Sequence, residues 1–155
     1  MFKKYKKIAL ASIALSALCI SSLSLAGDQD TLGKTRLTFT FTVPAPYVKL
    51  ADEVFACHAT WMNETHIHKG PKALLSYDVS KMAELTDRTD LKSKPTGKTI
   101  YVLNEVYETV AGVEDHFERT PKWNCYDQFV ELVGVSSVKK VSAGKIFNSL
   151  TWGGK

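Results

Sequence analysis

From Arg36 to Val43 the chain alternates strictly. Leu37, Phe39, Phe41 and Val43 interleave with Thr38, Thr40 and Thr42. A period of two predicts a β-strand with one apolar face. Pro44 and Pro46 end it, and proline is tolerated in a first helical turn, so a helix can begin at once. Tyr47–His66 has helical spacing. Leu50, Val54, Cys57 and Trp61 recur at steps of three and four, flanked by Val48, Ala51, Phe55 and Met62. Lys69-Gly70-Pro71 closes this helix. Ala73–Ser80 predicts a second strand. Residues 81–97 are polar, with Pro95 and Gly97, and predict a long exposed connection. Lys98–Glu108 is a third strand. Ile100, Val102, Asn104 and Val106 point one way, and Tyr101, Leu103, Glu105 and Tyr107 the other. Both rows are largely apolar, which predicts cover on both faces. Thr109 can cap a helix through Val110, Val113 and Phe117, broken at Thr120-Pro121. A short helix at Tyr126–Val133 and a less regular fourth strand at Val138–Phe147 follow.

The order β-α-β-β-α-β, with one extra short helix before the last strand, is the split βαβ arrangement of an α+β, ferredoxin-like sandwich. One sheet of four strands then carries both long helices on a single face. The opposite face is left open, and a second copy of the chain is the simplest cover for it. A homodimer is therefore expected.

Charge and cysteine content refine this picture. The formal charge is +4, from 20 Lys and Arg against 16 Asp and Glu. Lys3, Lys4, Lys6 and Lys7 stand in the first seven residues with no acid before Asp28, which leaves 16 basic against 16 acidic residues beyond them. A neutral domain argues against a nucleic-acid partner. The basic start, the apolar run Ile8–Ile20 and the small residues at Ser24 and Ala26 form the pattern of a cleaved export signal over residues 1–26. The apolar run is shorter than a spanning helix needs. The expected product is exported, periplasmic in a Gram-negative source or otherwise secreted, with no membrane attachment after cleavage. Residues 27–34 read as a flexible leader, 35–147 as the folded domain and 148–155 as a tail. Cys57 and Cys125 remain in the mature chain. In an oxidising compartment they are read either as a disulfide closing a long loop or as two buried thiols that never meet.

Three segments carry a family resemblance. They are Gly70–Asp78, with Leu75-Ser76-Tyr77 entering the second strand; Ile100–Tyr107, ending Asn104-Glu105-Val106-Tyr107; and Ala111–Phe117, with His116 before its last apolar residue. In order and spacing they resemble the antibiotic biosynthesis monooxygenase (ABM) family of the dimeric α+β barrel superfamily, over roughly residues 35–147. The resemblance implies a ferredoxin-like protomer whose sheet packs on a partner's sheet, with a pocket between sheet and helices. The activities it implies include cofactor-independent oxygenation of electron-rich aromatic substrates, haem degradation and isomerisation of small phosphorylated signals; the expectation here is oxygenation of a small aromatic or quinone-like substrate, with no cofactor. Two departures stand out. Thr120-Pro121-Lys122-Trp123 replaces the family's Thr/Ser-Pro-His-Phe, and the first strand offers Thr38, Thr40 and Thr42 where haem-degrading members carry Asn.

The residues that could carry chemistry follow from this reading. His116 can act as a general acid or base near neutral pH; the bland alternative is a partly exposed helix residue beside Asp115. Tyr107 and Glu105 share one strand face, where a buried carboxyl beside a phenol can polarise a substrate; a structural ion pair and a packed aromatic are the alternative. These three are the candidate catalytic residues. Tyr77, Trp61 and His58 are the candidate substrate-binding residues, although Trp61 and Tyr77 also suit a core. His66 and His68, two apart, share no face of a regular helix, and no third ligand is assured, so no metal site is expected. Two other readings stand beside the oxygenase. One is a non-enzymatic protein binding a small hydrophobic or aromatic ligand. The other is a dimeric structural domain with a vestigial pocket.

Overall fold

The computed structural model describes residues 31–150. The expected export signal, the first half of the leader (27–30) and the last five residues of the tail lie outside the described residues. Four strands form one antiparallel sheet: β1 (Thr35–Pro44), β2 (Leu74–Leu85), β3 (Pro95–Tyr107) and β4 (Ser137–Lys145), in the spatial order β2-β3-β1-β4. Three helices join them: α1 (Val48–Thr65), α2 (Val110–Arg119) and α3 (Tyr126–Val135). This is an α+β, ferredoxin-like arrangement, with α3 inserted before the last strand. Among the described residues no helix is long and apolar enough to cross a membrane.

The strand alternation assigns the faces. Leu37, Phe41 and Val43 of β1 and Tyr101, Leu103, Glu105 and Tyr107 of β3 are buried on the helix side. Helix α1 covers them with Ala51, Val54, Phe55, His58, Trp61 and Met62, a stripe at helical spacing. His58 therefore occupies a position where the period calls for an apolar side chain. Cys57 on α1 and Cys125, just before α3, form a disulfide with their Cα atoms 6.6 Å apart. The first alternative for the two cysteines is thus the one the fold adopts, and it ties α3 to α1.

Helix α2 begins where Thr109 accepts a hydrogen bond from the Ala111 backbone N–H at 3.2 Å and donates to the Pro71 carbonyl at 2.7 Å. Gly112 lets this helix lie against β3. A Cβ there would stand 2.6 Å from Cδ1 of Tyr107 and 3.0 Å from the Lys72 carbonyl oxygen. One turn later, the close approach brings His116 over Glu105.

The expected exposed connection at 81–97 is shorter than the sequence suggested. β2 runs on to Leu85 and β3 starts at Pro95, leaving a loop at 86–94. Lys81, Met82 and Ala83 on one strand and Pro95–Lys98 on the other are solvent-exposed. A two-stranded arm that meets water on both sides needs no apolar alternation, so its polarity hid its regularity. The fourth strand ends at Lys145 rather than Phe147, which is exposed. On the sheet face away from the helices, Ile100 and Val102 are half-buried between Thr40 and Thr42 on one side and Ser80 and Met82 on the other. Thr38 donates to Asn104 at 3.0 Å, and Asn104 donates to Asp78 at 3.1 Å, a polar ladder across three strands.

Candidate functional site

Five titratable side chains from three elements, β3, α2 and α1 with its C-cap, meet on the helix side of the sheet. Glu105 comes from β3 and is wholly buried; His116 from α2 is 4% exposed and His58 from α1 is 7% exposed. His66, the residue that ends α1, and Tyr107 of β3 complete the group. Tyr107 donates its hydroxyl to Glu105 Oε2 at 2.7 Å. His116 Nδ1 and His66 Nε2 are hydrogen-bonded at 3.1 Å, and His66 Nδ1 lies 3.1 Å from the Thr65 hydroxyl. His58 Nδ1 is hydrogen-bonded to the Tyr77 hydroxyl at 3.1 Å. The other nitrogens turn inward: His58 Nε2 is 4.0 Å from Glu105 Oε1, and His116 Nε2 is 3.9 Å from Glu105 Oε2. Both separations are too long for hydrogen bonds. Glu105 Oε1 is buried with no hydrogen-bond partner.

Burial sets the charge state of the cluster. It pushes the Glu105 carboxyl up to about 7, against a downward pull from the Tyr107 hydroxyl. It holds His58 down to about 3, helped by repulsion from His66. It holds His116 down to about 3 as well, with His58, His66 and Lys140 adding repulsion. His66 is lowered to about 4, by burial first and by Arg119 second. Near neutral pH the three imidazoles are therefore uncharged, and the short distances to Glu105 are not ion pairs. The phenols of Tyr107 and Tyr77 are pushed well above their usual range by burial and then by Glu105.

Glu105 and His116 end a cleft of about 370 Å³ between the sheet and helices α2 and α3. Its walls are mostly apolar, with Phe39, Leu103, Phe117 and Phe129 prominent. At its mouth the Lys140 ammonium lies 4.0 Å from the centroid of the Phe117 ring. The candidate residues thus take different places. His116 and Glu105 face the cleft. Tyr107 stands beside Glu105 and holds it, but does not line the cleft. His58 and Tyr77 lie on the far side of the carboxylate, and Tyr77 borders a separate depression with Met62 and His68. Trp61 packs in the core, its ring 5.7 Å from that of Trp123. His116 is buried, so the partly exposed alternative does not describe it; Asp115 instead pairs outward with Lys72 and Arg119.

Two members of this neighbourhood were not among the candidates. His66, set aside with His68 because the two share no helix face, is 7% exposed and bonded to His116. His68, its neighbour in that reading, is exposed. Trp123 is buried, stacks on Trp61, and has the His58 ring tilted against it with centroids 5.0 Å apart. The one sequence signal for His66 was its place just past the last helical turn, where the chain turns back toward the sheet. No protein-family model matches the chain, and no significant match is found among curated proteins.

Proposed function

We propose that the cleft binds a small, electron-rich aromatic molecule and that Glu105 takes a proton from it, in an ABM-like, cofactor-independent oxygenation. The observation that carries this reading is the pairing of an apolar cleft of about 370 Å³ with two buried polar groups, Glu105 and His116, at its inner end. Aromatic walls favour a flat apolar ligand, and a few convergent polar groups orient its reactive end. Lys140 at the mouth suits an oxygen anion on the ligand. A carboxyl whose proton affinity lies near neutrality is matched to proton abstraction. With a substrate bearing an acidic ring methylene, Glu105 accepts one C–H proton and the carbanion reduces O2. The methylene becomes a carbonyl, one oxygen atom enters the product and the other leaves as water. Tyr107 keeps the carboxylate oriented through this cycle.

The second reading, binding without turnover, is favoured by the small share of polar groups in the cleft wall. One experiment separates the two. Chelator-treated protein is titrated with anthrone, following quenching of intrinsic fluorescence, while O2 uptake is recorded. Binding with O2 uptake that Glu105→Gln abolishes supports the oxygenase. Binding without uptake supports the carrier. Absence of binding refutes both. The same reading pairs two copies through the open sheet face and places them in an exported, oxidising compartment, which the Cys57–Cys125 disulfide supports. A sizing measurement that returns a monomer at micromolar concentration removes the dimeric barrel from it.

A further inference from the structure

We propose that His58, Glu105 and His116 bind one divalent transition-metal cation. The three come from α1, β3 and α2, and one donor atom of each lies within 4.8 Å of the others. All three side chains are buried. They face one another across a gap: 4.0 Å from His58 Nε2 to Glu105 Oε1, and 3.9 Å from His116 Nε2 to Glu105 Oε2. Hydrogen bonds would have closed these distances, and no hydrogen bond is made.

The strongest single mark is Glu105 Oε1. It is a carboxylate oxygen with no donor, in a side chain with no exposed surface. An unmet buried acceptor of this kind is costly, and a cation is the partner that would meet it. One polar atom of each of the three groups is already held. Tyr77 holds His58 Nδ1, His66 holds His116 Nδ1, and Tyr107 holds Glu105 Oε2. Partners on the far side of each ligand fix its orientation and its tautomer, and this is how metal-binding imidazoles and carboxylates are generally supported. Here they leave both Nε2 atoms free to point inward.

The donor set selects the ion. Two imidazoles and one carboxylate suit Zn(II) or Fe(II) and do not suit Ca(II) or Mg(II), which take oxygen ligands. Ligand bonds of about 2.0–2.2 Å require the donors to close by roughly 0.5–1 Å, which small side-chain rotations supply. Three protein ligands leave at least one coordination position open. Glu105 and His116 both border the cleft, so that position can be reached from it.

The inference does not depend on the oxygenase reading. It is tested with the metal alone, whereas that reading is tested under chelator, so either can fail without the other. Chelator-treated full-length mature protein is titrated with ZnSO4 by calorimetry. One ion per chain is expected, together with a higher thermal midpoint. Glu105→Gln, His58→Ala and His116→Ala are each expected to weaken binding by about a hundredfold or more, and Tyr107→Phe by about tenfold or more. A silent titration overturns the proposal. So does one-to-one binding that all three ligand variants retain. If the variants fail to fold, wild-type protein decides the question by 15N NMR of the imidazoles. Shifts of Nε2 in His58 and His116, with those of exposed His68 unchanged, support the site. Shifts confined to His68 overturn it.

Discussion

Lowering the pH from 7 to 5 should destabilise the metal-free protein by about 3 kcal/mol, and the cause can be placed in one cluster. His58 and His116 are uncharged in the folded protein down to about pH 3, and His66 to about pH 4. In the unfolded chain they protonate near 6.5. The stability from a depressed histidine is fully present above 6.5 and is lost as pH falls toward the folded value. Between pH 7 and 5, His58 and His116 each lose about 2 kcal/mol; His66, lowered by burial and then by the part-exposed and solvent-screened Arg119, is counted at about 1. Glu105 works the other way. Its carboxyl is raised to about 7 from an ordinary 4.5, so it favours the folded state below 4.5 and loses that contribution as pH rises through 7. The same acidification therefore returns about 2 kcal/mol. The groups facing Glu105 are His58 from α1, His116 from α2, Tyr77 from β2 and Tyr107 from its own strand. Neither phenol titrates in this range. Asp52, Asp87 and Asp115 are held below the usual carboxylate range by their hydrogen bonds, first to Lys81, Thr89 and Lys72 respectively, and change stability only near pH 4 and below. Urea unfolding of chelator-treated protein at pH 7, 6 and 5 measures the net loss; in a thermal scan it corresponds to about 10 °C. Glu105→Gln removes the opposing contribution, so its loss over the same range should rise to about 5 kcal/mol. A stability that stays flat from pH 7 to 5, or a variant no steeper than wild type, would refute uncharged buried histidines around a protonatable carboxyl.

Three further outcomes follow from the packing. Cys57→Ser/Cys125→Ser opens a loop spanning 68 residues and should cost up to about 4 kcal/mol of unfolding free energy, read by urea denaturation of the oxidised wild type against the double variant. Gly112→Ala puts a methyl group against Tyr107 and the Lys72 carbonyl; the overlap costs about 1–3 kcal/mol and better helix propensity returns up to about 1, so a net loss is expected, and a stabilised variant would contradict the close approach of α2. Thr109→Ala removes the cap of α2 and the bond to Pro71, for a loss of about 1 kcal/mol that Thr109→Ser should largely restore in the same assay.

How much of this was legible depends on whether a residue's role is written locally. The threonine alternation of β1 fixes its faces because sheet geometry repeats every two residues, and Leu37, Phe41 and Val43 are buried as that pattern requires. Thr109 announced α2 because capping is a contact within three residues. Glu105 stood out as an acid on an otherwise apolar row. The disulfide stayed open, since a pair 68 residues apart carries no local trace of its distance. His66 was missed because helical periodicity says nothing one residue past the helix. The pair His66 and His68 drew attention by adjacency, whereas the fold gathers His58, Glu105 and His116 from three elements. The polar stretch 81–97 concealed two strand ends, since a projecting arm has no buried face to advertise.

The helix-facing row of β3 reads Tyr101, Leu103, Glu105, Tyr107, and packing alone asks only for volume at the third place. A leucine there, like Leu37 on the neighbouring strand, would leave no acceptor unmet. The carboxylate instead creates a local deficit at Oε1, and several partners can fill it. A proton fills it at low pH. A cation held with His58 and His116 fills it near neutrality. In the proposed reaction, an acidic proton from a cleft ligand would fill it. These partners are mutually exclusive at one oxygen, so they must be thermodynamically linked. Zinc affinity should therefore fall as the pH drops, and an aromatic ligand that delivers a proton to Glu105 should weaken zinc binding by the same factor by which zinc weakens its own binding. Equal factors from the two titrations would place metal and ligand at one carboxylate. Independent binding would mean that the cation and the cleft ligand use different groups.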